Sequence, residues 1–136
     1  MSRRPATPSL LRSLNDRSAL ELLLREGPLT RVGLGRRIGL SKVTASQLLA
    51  RLEQRDLVQV VGTQAGTRGP SAELYAIRPE CAYSVGIELS PDRMKAAVAD
   101  VTGAVIGRGE RSDTDSADPA QLIHDVVADA IAEAGI

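Results

Sequence analysis

Two segments with helical apolar spacing stand a few residues apart near the start of the chain, and this spacing constrains the fold more than any other feature. The first, Thr30–Ile38, keeps Val32, Leu34 and Ile38 apolar, exposes Arg31, Arg36 and Arg37, and has Thr30 at its N-cap position. Gly39-Leu40 supplies a turn, and Ser41 caps a second segment running from about Lys42 to Arg55. In it Ala45, Leu48, Leu49 and Leu52 recur at i, i+3, i+4 and i+7, the stripe of an amphipathic helix. Two helices joined by a short glycine-containing turn form a helix-turn-helix. Gly33 and Gly35 weaken the first helix by about 1 kcal/mol each relative to Ala, which suggests close packing against a neighbour or simple drift.

The flanking segments extend this unit. Residues 1–8 hold two Pro and two Arg and read as a loose arm. From Ser9 to Arg25 Leu10, Leu11, Leu14, Ala19, Leu20, Leu22, Leu23 and Leu24 follow helical spacing, and Asn15 is expected to cap a second helical piece after a short first one. Gly27-Pro28 stops the helix. Val58–Val61 and Glu73–Ile77 read as strands around residues 62–71, a turn-rich stretch carrying Arg68. Residues 9–78 thus read as three helices plus a β-hairpin wing, a winged helix-turn-helix. Arg78-Pro79-Glu80 is a junction. Tyr83–Leu89, Met94–Val101 and about Ala104–Arg108 then read as strands, and Ser112–Asp118 as an acidic connection. Asp118-Pro119 starts a helix whose stripe is Leu122, Ile123, Val126, Val127, Ala130 and Ile131. The fold class is α+β.

Composition narrows the function. With two Tyr and neither Trp nor Phe, the core has to be aliphatic. A single Cys excludes an internal disulfide framework and a multi-Cys metal site. No apolar run approaches the roughly 18 residues that span a bilayer, and no apolar signal region follows the first five residues. A cytoplasmic protein without membrane contact, cofactor, metal or catalytic residue is expected. The net charge of zero conceals a division: residues 1–75 hold 12 Lys and Arg against 6 Asp and Glu, and residues 76–136 hold 5 against 11. Only the first part is suited to a polyanion.

For duplex DNA, cations on phosphates supply affinity and side chains at base edges supply preference. In the helix spanning 41–55, Gln47 suits adenine, Lys42 suits guanine, and Val43 or the Thr44 methyl suits a thymine methyl. Thr30, Arg31 and Ser41 lie near helix N-termini, where phosphate oxygens are favoured. Arg51 is expected to reach the backbone and Arg68 of the wing a narrow minor groove. Lys42, Arg36, Arg37 and Arg55 read equally well as DNA contacts or as solvated surface.

Gly27-Pro28-Leu29-Thr30-Arg31, Gly39-Leu40-Ser41-Lys42-Val43-Thr44, Leu52–Val58 and Arg68-Gly69-Pro70 together resemble the ROK family of repressors and sugar kinases. The resemblance continues through Ser84–Ser90, Met94–Val101 and Thr102-Gly103-Ala104-Val105, which are similar to the opening hairpin of that family's actin-like domain. It implies a partial actin-like β-β-β-α segment over residues 79–136, and either a fragment of a longer regulator or a natural short form. It further implies a transcriptional regulator, a repressor of carbohydrate-utilisation genes, bound as a homodimer to a pseudo-palindromic operator. A sugar effector is implied only where the full ROK domain is present. The family's kinases carry Asp-x-Gly-Gly-Thr after the first strand, where this sequence has Glu88-Leu89-Ser90-Pro91-Asp92. Without glycine the backbone cannot cradle a phosphate, and Pro91 removes a donor. The alternatives are a ROK-type sugar kinase with an N-terminal extension and a winged-helix protein-interaction module. His124 is expected on a helix surface and Cys81 as a small buried residue.

Overall fold

A computed structural model of the chain describes residues 8–65, 70–112 and 118–136. The chain divides after Arg78 into two compact units.

The first unit is built from α1 (Pro8–Glu26), β1 (Leu29–Thr30), α2 (Arg31–Ile38), α3 (Lys42–Gln54), β2 (Val58–Gln64) and β3 (Ala72–Ile77). α1 is one unbroken helix, contrary to the break expected at Asn15. An interior Asn costs a helix less than about 1 kcal/mol, and no Gly or Pro interrupts the run, so continuity wins. Gly27, with φ 79°, ends it by donating its N–H to the Leu23 carbonyl. Of the eight apolar side chains in the expected α1 pattern, Ala19, Leu22 and Leu23 are buried, while Leu10, Leu11, Leu14 and Leu24 stay about half exposed. The burying face therefore belongs to the second half of α1, which packs against α2, α3 and β3; the other buried apolar residues of this unit are Leu34, Ala45, Leu48, Leu49, Leu52, Val58, Tyr75 and Ile77.

The wing has three strands rather than two, in the order β1-β3-β2 and all antiparallel. The two-residue β1 pairs Leu29 with Tyr75 and Thr30 with Leu74. Two residues are too few for a period-2 pattern to be read in the sequence. β2 continues to Gln64, past the Val61 expected from its valines, after a register shift between Val60 and Gly62. Tyr75 anchors this sheet: it is 7% exposed, and its hydroxyl donates to Glu73 Oε2 at 2.8 Å. Burial, reinforced by that carboxylate, pushes the phenol up to about 12.

The second unit is an antiparallel sheet of β4 (Tyr83–Ser90), β5 (Arg93–Asp100) and β6 (Val105–Arg111) with α4 (Pro119–Ala134) laid on one face. Asp118 caps α4 by accepting from the Ala120 N–H, with Pro119 in the first turn. At the β5–β6 turn Asp100 accepts from the Thr102 hydroxyl at 2.6 Å and from two backbone N–H groups. These bonds, that of the Thr102 side chain first, hold its carboxyl below the usual carboxylate range. Met94, Ala96 and Val98 of β5 pack on Leu122, Val126 and Ala130 of α4. Val85, Ile87 and Leu89 lie directly opposite Val98, Ala96 and Met94 and so share their face, yet they remain exposed because α4 lies over β5 and β6.

α4 rests almost directly on the β6 backbone. A Cβ on Gly107 would overlap the Ala130 carbonyl and stand 2.7 Å from the Ala134 nitrogen, and one on Gly109 would overlap the Val126 carbonyl. Cys81 is only half-buried, because it closes a short 3-10 turn at Pro79–Cys81 rather than entering a strand. His124 is on the exposed side of α4.

Two outcomes follow from these contacts. Gly107→Ala or Gly109→Ala drives α4 off the sheet and lowers the stability of the second unit by about 3 kcal/mol in urea unfolding, whereas Gly86→Ala, with nothing within 4 Å of its added carbon, changes it by less than about 1 kcal/mol. In the Tyr83→Phe protein, the remaining phenol ionises near pH 12 by absorbance instead of at the usual value of about 10. Because the folded state favours the neutral phenol, the stability it contributes is whole below about pH 10 and is lost as pH rises toward 12. A midpoint near the usual value would place the Tyr75 ring in water.

Candidate nucleic-acid interface

The α2–turn–α3 unit owes its geometry to two side-chain caps and one left-handed residue. Thr30, with extended backbone, accepts the Gly33 N–H on Oγ1 at 3.1 Å. Gly39 turns the chain at φ 71°, and the Leu40 N–H returns to the Gly35 carbonyl at 2.8 Å. Ser41 accepts the Thr44 N–H at 3.2 Å, and the Ser41 and Thr44 hydroxyls bond to each other at 2.8 Å. A Cβ on Gly35 would stand 3.3 Å from both the Ala45 Cβ and the Leu40 carbonyl. Close approach of α2 and α3, one of the two readings of this glycine, is therefore what its position provides.

With Ala45, Leu48, Leu49 and Leu52 buried, α3 turns Lys42, Val43, Gln47 and Ala50 outward. Val43 is 66% exposed, the highest value of any large apolar side chain among the described residues. Lys42 does not stand alone. A groove between α2 and the amino end of α3 is lined by Arg31, Val32, Arg36, Leu40 and Lys42, so three cations converge there. No ion pair engages Arg31, Arg36 or Lys42 with an acid of the described residues. The first turn of α3 adds backbone N–H groups that have no intrahelical acceptor.

The remaining candidates are placed differently. Thr30, Ser41 and Thr44 spend their hydroxyls on capping and hold helix ends in position. Arg51, expected to reach the DNA backbone, donates to Asp16 of α1 at 2.7 Å, with the Asp16 side chain only 14% exposed. Arg55 approaches the same carboxylate at 3.9 Å. Arg37 pairs with Glu26. The three arginines that the sequence left undecided thus separate: Arg36 joins the open groove, while Arg37 and Arg55 face acids. Charge counting could not distinguish them, because their acidic partners lie on α1. Arg68 lies outside the described residues, as does most of the expected 1–8 arm.

In the second unit, the stretch that corresponds to a kinase phosphate loop is a tight hairpin turn. Ser90 pairs with Arg93, and Pro91-Asp92 alone connects β4 to β5. It offers no glycine-lined loop to a nucleotide. Among the described residues no three His, Cys, Asp and Glu side chains gather as a metal site, and no helix is long and apolar enough to cross a membrane.

The Asp16–Arg51 bridge ties α1 to α3. Asp16→Asn and Arg51→Ala are each expected to destabilise the first unit, and the double variant to reveal a coupling of about 1 kcal/mol in chemical denaturation. Strict additivity would mean that the bridge contributes nothing.

Residues 13–69 match the MarR family. An uncharacterised Sinorhizobium fredii protein is 26% identical over 75% of this chain and 26% of its own length. The xylose repressor of Bacillus spizizenii is 25% identical over 74% of this chain and 26% of its own. The chain thus spans about a quarter of the length of the curated relatives it matches. The crystal structure of a ROK family transcriptional regulator, a homologue of the E. coli MLC protein, superposes with a TM-score of 0.58 at 15% identity, covering 87% of this chain and 31% of that one. The first unit has a winged-helix fold and over residues 13–69 is similar to the MarR family, and the succession of that unit by a three-stranded sheet with one covering helix is similar in fold to a ROK family transcriptional regulator.

Proposed function

We propose that this chain binds duplex DNA through α3, the groove beside it and the wing, and acts as a transcriptional repressor. The observation that carries this reading is the convergence of Arg31, Arg36 and Lys42 at the exposed amino end of α3, while Arg37, Arg51 and Arg55 face acids within the domain. Cations that form no ion pair with an acid of the described residues, beside an exposed helix end, suit the phosphates flanking a major groove. Thr30 and Ser41 fix the helix ends that present them, and Arg68 enters the minor groove from the wing. The protein works in the cytoplasm as a homodimer on a pseudo-palindromic operator, with the two α3 helices about one DNA turn apart.

Its relatives include a protein named xylose repressor, which supports control of carbohydrate-utilisation genes, with a sugar effector acting where a complete ROK domain follows. The reading is of a binding protein and not of a sugar kinase, because the Pro91-Asp92 turn gives a nucleotide no cradle.

Salt provides the test. Affinity for a random-sequence duplex should fall linearly on logarithmic axes as salt rises, and each of Arg31→Gln, Arg36→Gln and Lys42→Gln should lower the slope by about 1. Arg37→Gln, already paired, should leave it unchanged. Salt-independent binding, or none at low salt, would turn the reading toward a protein-interaction module.

A further inference from the structure

The outward face of α3 has a chemistry that selects among base pairs. Positions 43, 47, 50 and 54 fall at i, i+4, i+7 and i+11, on the line opposite buried Ala45, Leu48, Leu49 and Leu52. They are Val, Gln, Ala and Gln, two apolar groups and two carboxamides without a charge. The cations stand off this line. Lys42 is about 100° round the helix from Val43, beside Arg31 and Arg36, and Arg51 is turned to Asp16 on the other flank. The neighbouring hydroxyls are engaged as well: Ser46 donates to the Lys42 carbonyl at 2.9 Å, and Ser41 and Thr44 bond each other.

A base edge approaching this face therefore meets the methyl groups of Val43 and Ala50 and the amide of Gln47. Guanine is read best by cationic donors on O6 and N7, adenine by a carboxamide that both donates and accepts, and thymine by apolar contact with its methyl group. Val43 to Ala50 spans about 10 Å of helix, close to three base steps. Resting on the DNA-binding reading above, we infer that α3 selects A·T pairs. Val43 and Ala50 lie against thymine methyls and Gln47 holds adenine. Lys42 serves the phosphate backbone, in place of the guanine contact its sequence position suggested.

The 136-residue chain is incubated with a randomised duplex pool, and the retained duplexes are sequenced and footprinted. A·T pairs are expected over about three steps in the major groove that α3 protects. Replacing the selected thymine by deoxyuridine, which removes one methyl group, should weaken binding about fourfold. The Val43→Ala protein should be insensitive to that replacement. Gln47→Ala should lose about tenfold of the preference for adenine while keeping the salt slope of the parent. Both side chains are exposed, so neither change disturbs the fold, which circular dichroism checks. Enrichment of G·C at the protected steps, or unaltered base preference in both variants, overturns the inference while leaving DNA binding in place. A pool from which no duplex is retained overturns the DNA-binding reading itself, and the inference with it.

Discussion

The first unit depends on the burial of one aliphatic seam. Leu34 of α2 and Leu48, Leu49 and Leu52 of α3 are almost completely shielded from water, and each contributes roughly 1.5–3 kcal/mol by leaving it. No aromatic ring shares this work except Tyr75 of the wing. Burying Ala45, Leu48, Leu49 and Leu52 fixes the rotation of α3 about its axis, and this rotation decides which side chains face outward. The seam also sets the distance between helices, and Gly35 permits that distance by leaving room for Ala45.

Much of this could be read directly from residues. Thr30, Gly39, Ser41 and Asp118 occupy the positions where isolated helix physics would put a cap or a turn, and such local rules need no tertiary information. The apolar stripe of α3 is equally local. What escaped the sequence were relations between distant residues. Asp16 and Arg51 are 35 positions apart, and nothing in either neighbourhood announces their pairing. β1 escaped because two residues carry no periodicity, and its partner β3 lies more than forty residues downstream. The continuity of α1 past Asn15 was a balance of small propensities, in which the absence of a true breaker outweighed a plausible cap.

The second unit rests on a different principle. Its helix is held to β6 by backbone approach, and the sequence signal for this is a pair of glycines two residues apart in one strand. Alternate glycines on one face of a strand mark close approach of another backbone, a reading available before any coordinates. Arg111–Asp129, at 2.5 Å, and the Glu133 carboxylate accepting the Arg108 N–H hold the same helix from its polar side. The helix is therefore fixed along its length, while the β4 side of the same face is left to solvent.

The shortage of aromatic residues, which forced an aliphatic core, also divides the chain optically. Tyr75 lies in the first unit and Tyr83 in the second, with no Trp or Phe in the sequence. Each unit thus carries one ring of its own. The near-ultraviolet spectrum is a sum of two single-residue signals, one from the wing and one from the start of β4, and phenylalanine at either position separates them. Local melting of one unit can therefore be followed beside the other in the unlabelled protein.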